Sequence, residues 1–307
     1  MSDARRGTYS LIARDAASGE LGVAVQSHWF SVGSIVAWAR AGVGAVATQS
    51  VAERAYGPRL LDRLAAGEAP PDALAVELEA DELADVRQVA VVDVHGRVAF
   101  HTGDGCIPEA GHVAGDGFSA QANLMASAEV WPAIATAYRG AEGPLASRLL
   151  AALEAGEEAG GDVRGKQSAA LLVVPARGEA WSTVVELRVE DAVDPLPELR
   201  RLLDLHGAYE LADRADSLAG EGRHADAASL YVSAAEAAPA SVELAFWAGL
   251  GIAAGGDVAA GAERVATAIA AHDGWRELLA RLDPEIAPAV EEVRSALRVP
   301  RQQRGPR

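Results

Sequence analysis

Residues 7–27 constrain the fold more than any other stretch. Gly7-Thr8-Tyr9-Ser10-Leu11-Ile12-Ala13 and Leu21-Gly22-Val23-Ala24-Val25-Gln26-Ser27 are strand-like, and the polar segment between them, Arg14 to Glu20, holds a Ser18-Gly19 turn pair. The pattern predicts a β-hairpin whose first reactive side chain is the Thr8 hydroxyl, at a strand end. A third run, Gly42-Val43-Gly44-Ala45-Val46-Ala47-Thr48, is small, uncharged and glycine-interrupted. That suits a strand buried on both faces and closely approached by another backbone. All three runs are expected in one sheet, with Thr8 at an end.

An aromatic turn, His28 to Gly33, follows the hairpin, and Trp29 and Phe30 either line a pocket or cover the sheet edge. Leu60, Leu61 and Leu64 recur at helical spacing within Arg59–Ala65, and a second helix is predicted from Pro71 through Leu83. Arg87–Asp93 and Gly96–Thr102 form a second predicted hairpin, and Gly117–Asn123 reads as a strand carrying amides. Helices are predicted at Ser127–Tyr138 and Pro144–Ala155, then strands at Ala169–Val174 and in a pair of runs over Trp181–Val189. Strands and helices thus come in blocks, which favours helices outside layered sheets over a βαβ alternation.

From Pro195 the pattern is helical only, with Ala and Leu dominant. Helices at Ala208–Leu218, Ala225–Ala237, Ser241–Ala254 and Ala259–Ala271 are separated by Gly220-Glu221-Gly222, Ala238-Pro239 and Gly255-Gly256. Alanine at close-approach positions and Pro239 after the second helix resemble tetratricopeptide repeats, with about two units visible. The predicted organisation is a leader over 1–7, a mixed domain over 8–194, a helical domain over 195–299 and a flexible tail over 300–307.

Charge narrows the partners. The 307 residues carry a formal net charge of −17 at pH 7 and a pI near 4.8, so a phosphate backbone or anionic membrane is repelled at long range. Neither nucleic acid nor membrane is an expected partner. No run approaches the roughly 20 apolar residues that span a bilayer, and no apolar stretch follows Arg5-Arg6 to make a signal peptide. The single Cys106 excludes an internal disulfide, and a cytoplasmic protein is expected.

Several chemistries drop out by motif. No glycine-flanked serine sits at a strand-to-helix elbow, so a Ser-His-Asp hydrolase is not indicated. His95, His101 and His112 lack metal-ligand spacing, and no cofactor or metal is expected. Gly42-Val43-Gly44 lacks the rest of either phosphate-binding fingerprint. Thr8 remains. A threonine hydroxyl needs a base, and its own α-amino group, with a reference pKa of about 7.7–8.0, is an economical one. Freeing that amine requires cutting Gly7–Thr8; otherwise Thr8 is an ordinary β-branched residue opening a strand.

A set of ordered motifs bears on that choice: Thr8–Asp15 (TYSLIARD), Gly22–Ser27 (GVAVQS), Val32–Ser34, Trp38–Gln49 (WARAGVGAVATQ), Tyr56–Pro58, Ser119–Gln121 and Gly161–Ser168 (GDVRGKQS). Together, over roughly Thr8 to Leu203, they resemble the domain of unknown function 1028 family, which is grouped with the N-terminal-nucleophile (Ntn) hydrolases. The resemblance implies an α+β fold, a four-layer αββα sandwich, here followed by the small all-α helical-hairpin domain. It implies Thr8 as nucleophile, although members of the family often begin Met-Thr and seven residues precede Thr8 here. Gly7-Thr8 resembles the processing junction of proteasome β subunits. Ser27 matches the polar residue ending the second strand in those relatives, Arg40 is a loose match to the basic residue that tunes the amine, and His28 stands where relatives are expected to carry lysine.

Further candidates come from the residues themselves. Gln121 and Asn123 are side-chain amides suited to a developing oxyanion. Asp162, Arg164 and Lys166, the only lysine, are candidates for binding a polar substrate or the new α-amine. Thr48 and Gln49 end the third strand. Two readings stay open: an Ntn-type amidohydrolase acting on a small amide or peptide-like bond, or a non-catalytic scaffold that binds a polar ligand, or a protein partner through its helical repeats. Expected partners are a small amide substrate, a protein on the repeats, and a second copy of the chain.

Overall fold

In the computed structural model, which describes residues 7–302, the chain is a mixed α+β protein that divides into two compact units, Met1–Leu203 and Asp204–Arg307. Of the expected leader only Gly7, and of the expected tail only residues 300–302, lie among the described residues. In chain order the first unit comprises β1 (Thr8–Arg14), β2 (Leu21–Ser27), α1 (Gly33–Val36), β3 (Ala37–Arg40), β4 (Gly44–Ser50), α2 (Tyr56–Ala65) and α3 (Pro70–Glu79). There follow β5 (Arg87–Asp93), β6 (Val98–Thr102), β7 (Gly111–Gly115), β8 (Phe118–Asn123), α4 (Val130–Gly140), α5 (Leu145–Glu158), β9 (Ser168–Val174), β10 (Val185–Val189) and the start of α6 (Pro195–Gly220).

Two antiparallel sheets result. One has six strands in the order β10-β9-β2-β1-β8-β7, the other four in the order β3-β4-β5-β6. The third run of the sequence therefore does not join the first hairpin's sheet. The reason is that both sides of the first hairpin are taken: β2 is flanked by β1 and β9, and β1 by β2 and β8. The short α1 turn carries the chain away, and β4 pairs with β3 and β5 instead. Its glycine has the use expected of it, since a Cβ on Gly44 would stand 2.6 Å from the Val92 carbonyl oxygen. The expected strand pair over 181–189 is also reduced to β10; Trp181 lies in a turn and is exposed.

Strand alternation decides which face each side chain joins. Tyr9, Leu11 and Ala13 of β1 and Phe118, Ala120 and Ala122 of β8 pack under α4 and α5, where Ile134, Leu149, Leu150 and Leu153 are fully buried. Each such burial is worth about 1.5–3 kcal/mol. Ile12, Val23 and Val25 point the other way and meet Ala45, Ala47, Ala90 and Val92 of the second sheet. Beyond that sheet, Val46, Val89 and Val91 pack under Leu60, Leu61 and Leu64 of α2 and Leu74 of α3. The second predicted helix stops at Glu79 rather than Leu83, because the Asp81 carboxylate accepts from the Leu83 amide and from Arg87 and so turns the chain into β5.

The second unit contains residues 204–220 of α6, then α7 (His224–Ala237), α8 (Val242–Ala254), α9 (Val258–Ala271), α10 (Gly274–Arg281) and α11 (Val290–Leu297). Helix α8 is central: Ala248 packs with Tyr231 and Ala235 of α7, while Phe246, Leu250 and Ala253 pack with Val265 and Ile269 of α9. Gly249 and Gly261 set the α8–α9 separation, since a Cβ on either would approach the other's carbonyl oxygen to 2.7 and 2.4 Å. A cavity of about 480 Å³ in this unit is lined by Asp216, His224, Tyr231, Trp247, Glu285 and Ile286, among others. Among the described residues no helix is long and apolar enough to cross a membrane.

Candidate active site

The antiparallel register builds the site. Thr8 is the Cα partner of Ser27 on β2 and of Asn123 on β8, so all three side chains leave the six-stranded sheet on the same face, toward the second sheet. Ser168, paired with Ser27, extends the row and accepts from the Val32 amide while donating to the Trp29 carbonyl at 2.5 Å, which holds the aromatic turn. Phe30 in that turn is exposed. Opposite this row, Gln49, Gln88 and Thr102 are successive cross-strand partners on β4, β5 and β6.

Thr8 is 1% exposed. Its hydroxyl donates to Ser27 Oγ at 3.1 Å, and Ser27 Oγ donates to the Gly7 carbonyl oxygen at 2.5 Å. Arg164 Nη2 donates to the same oxygen at 3.0 Å. The carbonyl of the Gly7–Thr8 peptide thus receives a hydroxyl and a guanidinium. Arg164 is itself held by Asp162: Nε to Oδ1 at 3.1 Å and Nη2 to Oδ2 at 2.7 Å. The Asp162 carboxylate, wholly buried, also accepts from the His28 and Arg164 amides.

The amides hold the other side of Thr8. Gln49 Nε2 donates to the Thr8 carbonyl at 3.1 Å and to Gln88 Oε1 at 2.8 Å; Asn123 Nδ2 donates to the Thr8 carbonyl at 3.4 Å and to Gln88 Oε1 at 2.9 Å. Gln121 donates to Ser10 Oγ at 2.6 Å, and Ser10 donates to Gln49 Oε1 at 2.6 Å. In the uncut chain the Asn123 and Gln121 amides donate to the Thr8 carbonyl, Gln88 and Ser10 rather than to the Gly7 carbonyl. The register sets Asn123 beside the Thr8 carbonyl and Gln121 one row further in. Asn123 Oδ1 is buried and has no hydrogen-bond partner among the described residues.

Other candidates lie elsewhere. Thr48 alternates to the opposite face of β4 and donates to the Glu53 carbonyl. Lys166 bridges Asp194 at 3.0 Å and Glu157 at 3.6 Å; the hydrogen bond to Asp194, with the Glu157 charge, holds its ammonium above the usual range. Arg40 pairs with Asp62 of α2. His28 takes part through its main-chain amide, while its ring contacts the Lys166 carbonyl.

Sequence reasoning passed over Gln88 and Ser10. Gln88 is fully buried, accepts from both Gln49 and Asn123, and donates to Thr102 Oγ1, the Gly111 carbonyl and the Ala122 carbonyl. A lone amide in the run Arg87–Asp93, in phase with the inward Ala90 and Val92, was the available signal. Thr102 and Gly111 also line an open cavity of about 510 Å³ with Cys106, His112 and Trp131. Burial, with the nearby His101, holds His112 below the ordinary histidine pKa. β4 ends in, and β8 is directly followed by, a left-handed non-glycine residue, Ser50 (φ 68°) and Leu124 (φ 56°), one position past Gln49 and Asn123. Such conformers cost about 1–2 kcal/mol each and cluster where chains bend sharply around sites. Among the described residues no three His, Cys, Asp or Glu side chains are grouped to hold a metal ion.

Fold and site together define a mixed α+β protein with a threonine hydroxyl at a buried strand end, beside a peptide carbonyl gripped by two side-chain donors. The chain belongs to the Family of unknown function (DUF1028), whose model matches residues 8–199. Protein SPO2555 from Silicibacter pomeroyi, a crystal structure assigned to DUF1028, is 29% identical with a TM-score of 0.58, covering 64% of this chain and 88% of its own. Anbu (ancestral beta-subunit) from Yersinia bercovieri is 12% identical with a TM-score of 0.34, covering 63% of this chain and 91% of its own. No curated protein matches the chain.

Proposed function

We propose that this chain is an Ntn-type amidohydrolase that first cuts its own Gly7–Thr8 bond and then uses Thr8 on a small amide or peptide-like bond. The observation that carries the reading is the relay Thr8 Oγ1 to Ser27 Oγ to Gly7 O, with Arg164 on the same oxygen. When Thr8 Oγ1 attacks the Gly7 carbonyl carbon, its proton passes to Ser27, and the Ser27 proton passes to the carbonyl oxygen as the C–O bond forms. On collapse the tetrahedral hydroxyl gives its proton to the leaving nitrogen and re-forms C=O, the Gly7–Thr8 C–N bond breaks, and the products are a free α-amine and Gly7 as an ester on Thr8. Water then hydrolyses the ester, releasing residues 1–7 as a carboxylate.

In the processed chain the α-amine takes the hydroxyl proton as Thr8 attacks a substrate amide and returns it to the leaving amine. Ser27 and Arg164 serve the oxyanion of either carbonyl. Gln49 and Asn123 fix the Thr8 main chain, and Asn123 Oδ1 is an acceptor beside it for a new N–H. The packing of α4 and α5 on one sheet and α2 and α3 on the other supports an αββα sandwich, and the α7–α8–α9 stack supports a tetratricopeptide-like surface for a protein partner.

The burial of Thr8 in the uncut chain supports the competing reading, a non-catalytic scaffold. Intact-mass spectrometry separates the two. The enzyme reading expects loss of residues 1–7 from wild type and a full-length Thr8→Ala chain. Wild type that stays full length while hydrolysing amides would sink the free-amine mechanism.

A further inference from the structure

We propose that Asp162 sets the acyl specificity of the Thr8 site, admitting glycyl-type acyl groups and excluding those that bear an L side chain on the α carbon. The inference rests on the reading of Thr8 as nucleophile. The ester formed during self-cutting is Gly7 on Thr8 Oγ1, chemically the same species as the acyl-enzyme formed from a substrate. The space around Gly7 is therefore a mould of the acyl site before any substrate has entered it.

That mould has no room for a side chain. A Cβ on Gly7 would stand 2.6 Å from Asp162 Oδ2 and 2.7 Å from both Cγ and Oδ1, so the carboxylate lies face-on against that position. A flexible side chain would swing aside, but Asp162 is pinned. It takes four hydrogen bonds, from the His28 amide (3.1 Å), the Arg164 amide (2.9 Å), Arg164 Nε (3.1 Å) and Arg164 Nη2 (2.7 Å). Its main chain is fixed by a β-bridge to Met125. Moving the carboxylate would also move Arg164, and with it a donor on the reacting carbonyl. Exclusion of a side chain and stabilisation of the oxyanion are thus the work of one ion pair. The substrates that fit are amides whose acyl part is an N-acylglycyl group or another acyl group with hydrogen at that position.

The test follows scission of Gly7–Thr8 in the full-length chain by intact mass. Wild type is compared with Gly7→Ala and with Gly7→Ala combined with Asp162→Ala, melting temperatures confirming that each is folded. Gly7→Ala is expected to slow scission about 10- to 100-fold, the rate equivalent of overpacking one methyl, and the double variant to recover part of that loss. A second measurement needs no variant: acylation of processed wild type by the 4-nitrophenyl esters of N-acetylglycine and N-acetyl-L-alanine, each corrected for its rate with hydroxide in buffer. The glycyl ester is expected to lead by at least about tenfold. Equal scission of Gly7→Ala and wild type, or equal acylation by the two esters, overturns the assignment while leaving Thr8 as nucleophile. A wild-type chain that never loses residues 1–7 removes the nucleophile reading and this assignment with it.

Discussion

Replacing Gln88 tests whether the buried amide ladder between the sheets holds the site together. Gln88 reaches five hydrogen-bond partners from a fully buried side chain, its two N–H groups shared among three acceptors. In Gln88→Ala, Gln49 Nε2 keeps the Thr8 carbonyl at 3.1 Å, whereas Asn123 Nδ2 is left with a 3.4 Å contact, and the Gly111 and Ala122 carbonyls lose a donor. Counting about two groups as truly orphaned, at roughly 1–3 kcal/mol each, plus about 1 kcal/mol for the void, gives a loss of about 3–7 kcal/mol. For a unit of this size that corresponds to a melting temperature lowered by roughly 10 °C or more. Gln88→Met keeps the volume and loses the bonds, so it is expected to recover only the void contribution. Calorimetry of the first unit's transition, alongside the scission rate, reads both effects, because a loosened Gln49 and Asn123 release the Thr8 main chain. If Gln88→Ala and Gln88→Met both melt within a degree of wild type, the network does not hold these strands and the reasoning fails.

Ser27→Ala removes both the proton acceptor of Thr8 and a donor to the Gly7 carbonyl, and time-resolved intact mass is expected to show scission slowed about 100-fold or more. Asp81→Asn probes acid stability. Burial raises the Asp81 pKa, but Arg87, the Leu83 amide and Tyr56 outweigh it, so its carboxyl lies below the ordinary range. Its contribution is therefore complete above the unfolded value of about 3.9 and is lost as pH falls through the folded value. Urea denaturation is expected to show wild type more stable than the variant at pH 7 and the gap closing below about pH 4; a gap that widens in acid would contradict the assignment. Gly249→Ala places a methyl 2.7 Å from the Gly261 carbonyl oxygen and is expected to destabilise the second unit by about 1–3 kcal/mol, read by its denaturation midpoint.

The site was legible in the sequence to the extent that it is local. Thr8 and Ser27 flank one hairpin, and the polar turn between two strands of equal length fixes that they meet. Alternation also assigns faces, which is why Gln49 was within reach of a sequence argument and why Thr48, one residue earlier, never belonged beside it. What alternation does not carry is which sheet a strand joins. Gly42–Thr48 reads the same whether it extends the first sheet or builds a second, and the outcome turned on β9, more than 100 residues later, occupying the free edge of β2. Asp162 and Arg164 reach Gly7 for the same kind of reason, through the β-bridge of Asp162 to Met125 and a loop that precedes β9. Gln88 was missed because a single amide in an apolar strand has no local partner to announce it.

The two donors on the Gly7 carbonyl also have a place in time. Ser27 is made early, while Arg164 is made 137 residues later, after α5 and just before β9 closes the sheet beside β2. A nascent chain that has folded only its first hairpin has the Thr8 and Ser27 hydroxyls but not the Arg164 guanidinium or the Asp162 carboxylate. Under the proposed cut, scission waits for the far half of the unit to arrive and dock. The leader's departure would then mark chains whose fold is complete, and a truncated or misassembled chain would keep its first seven residues as the sign of its failure.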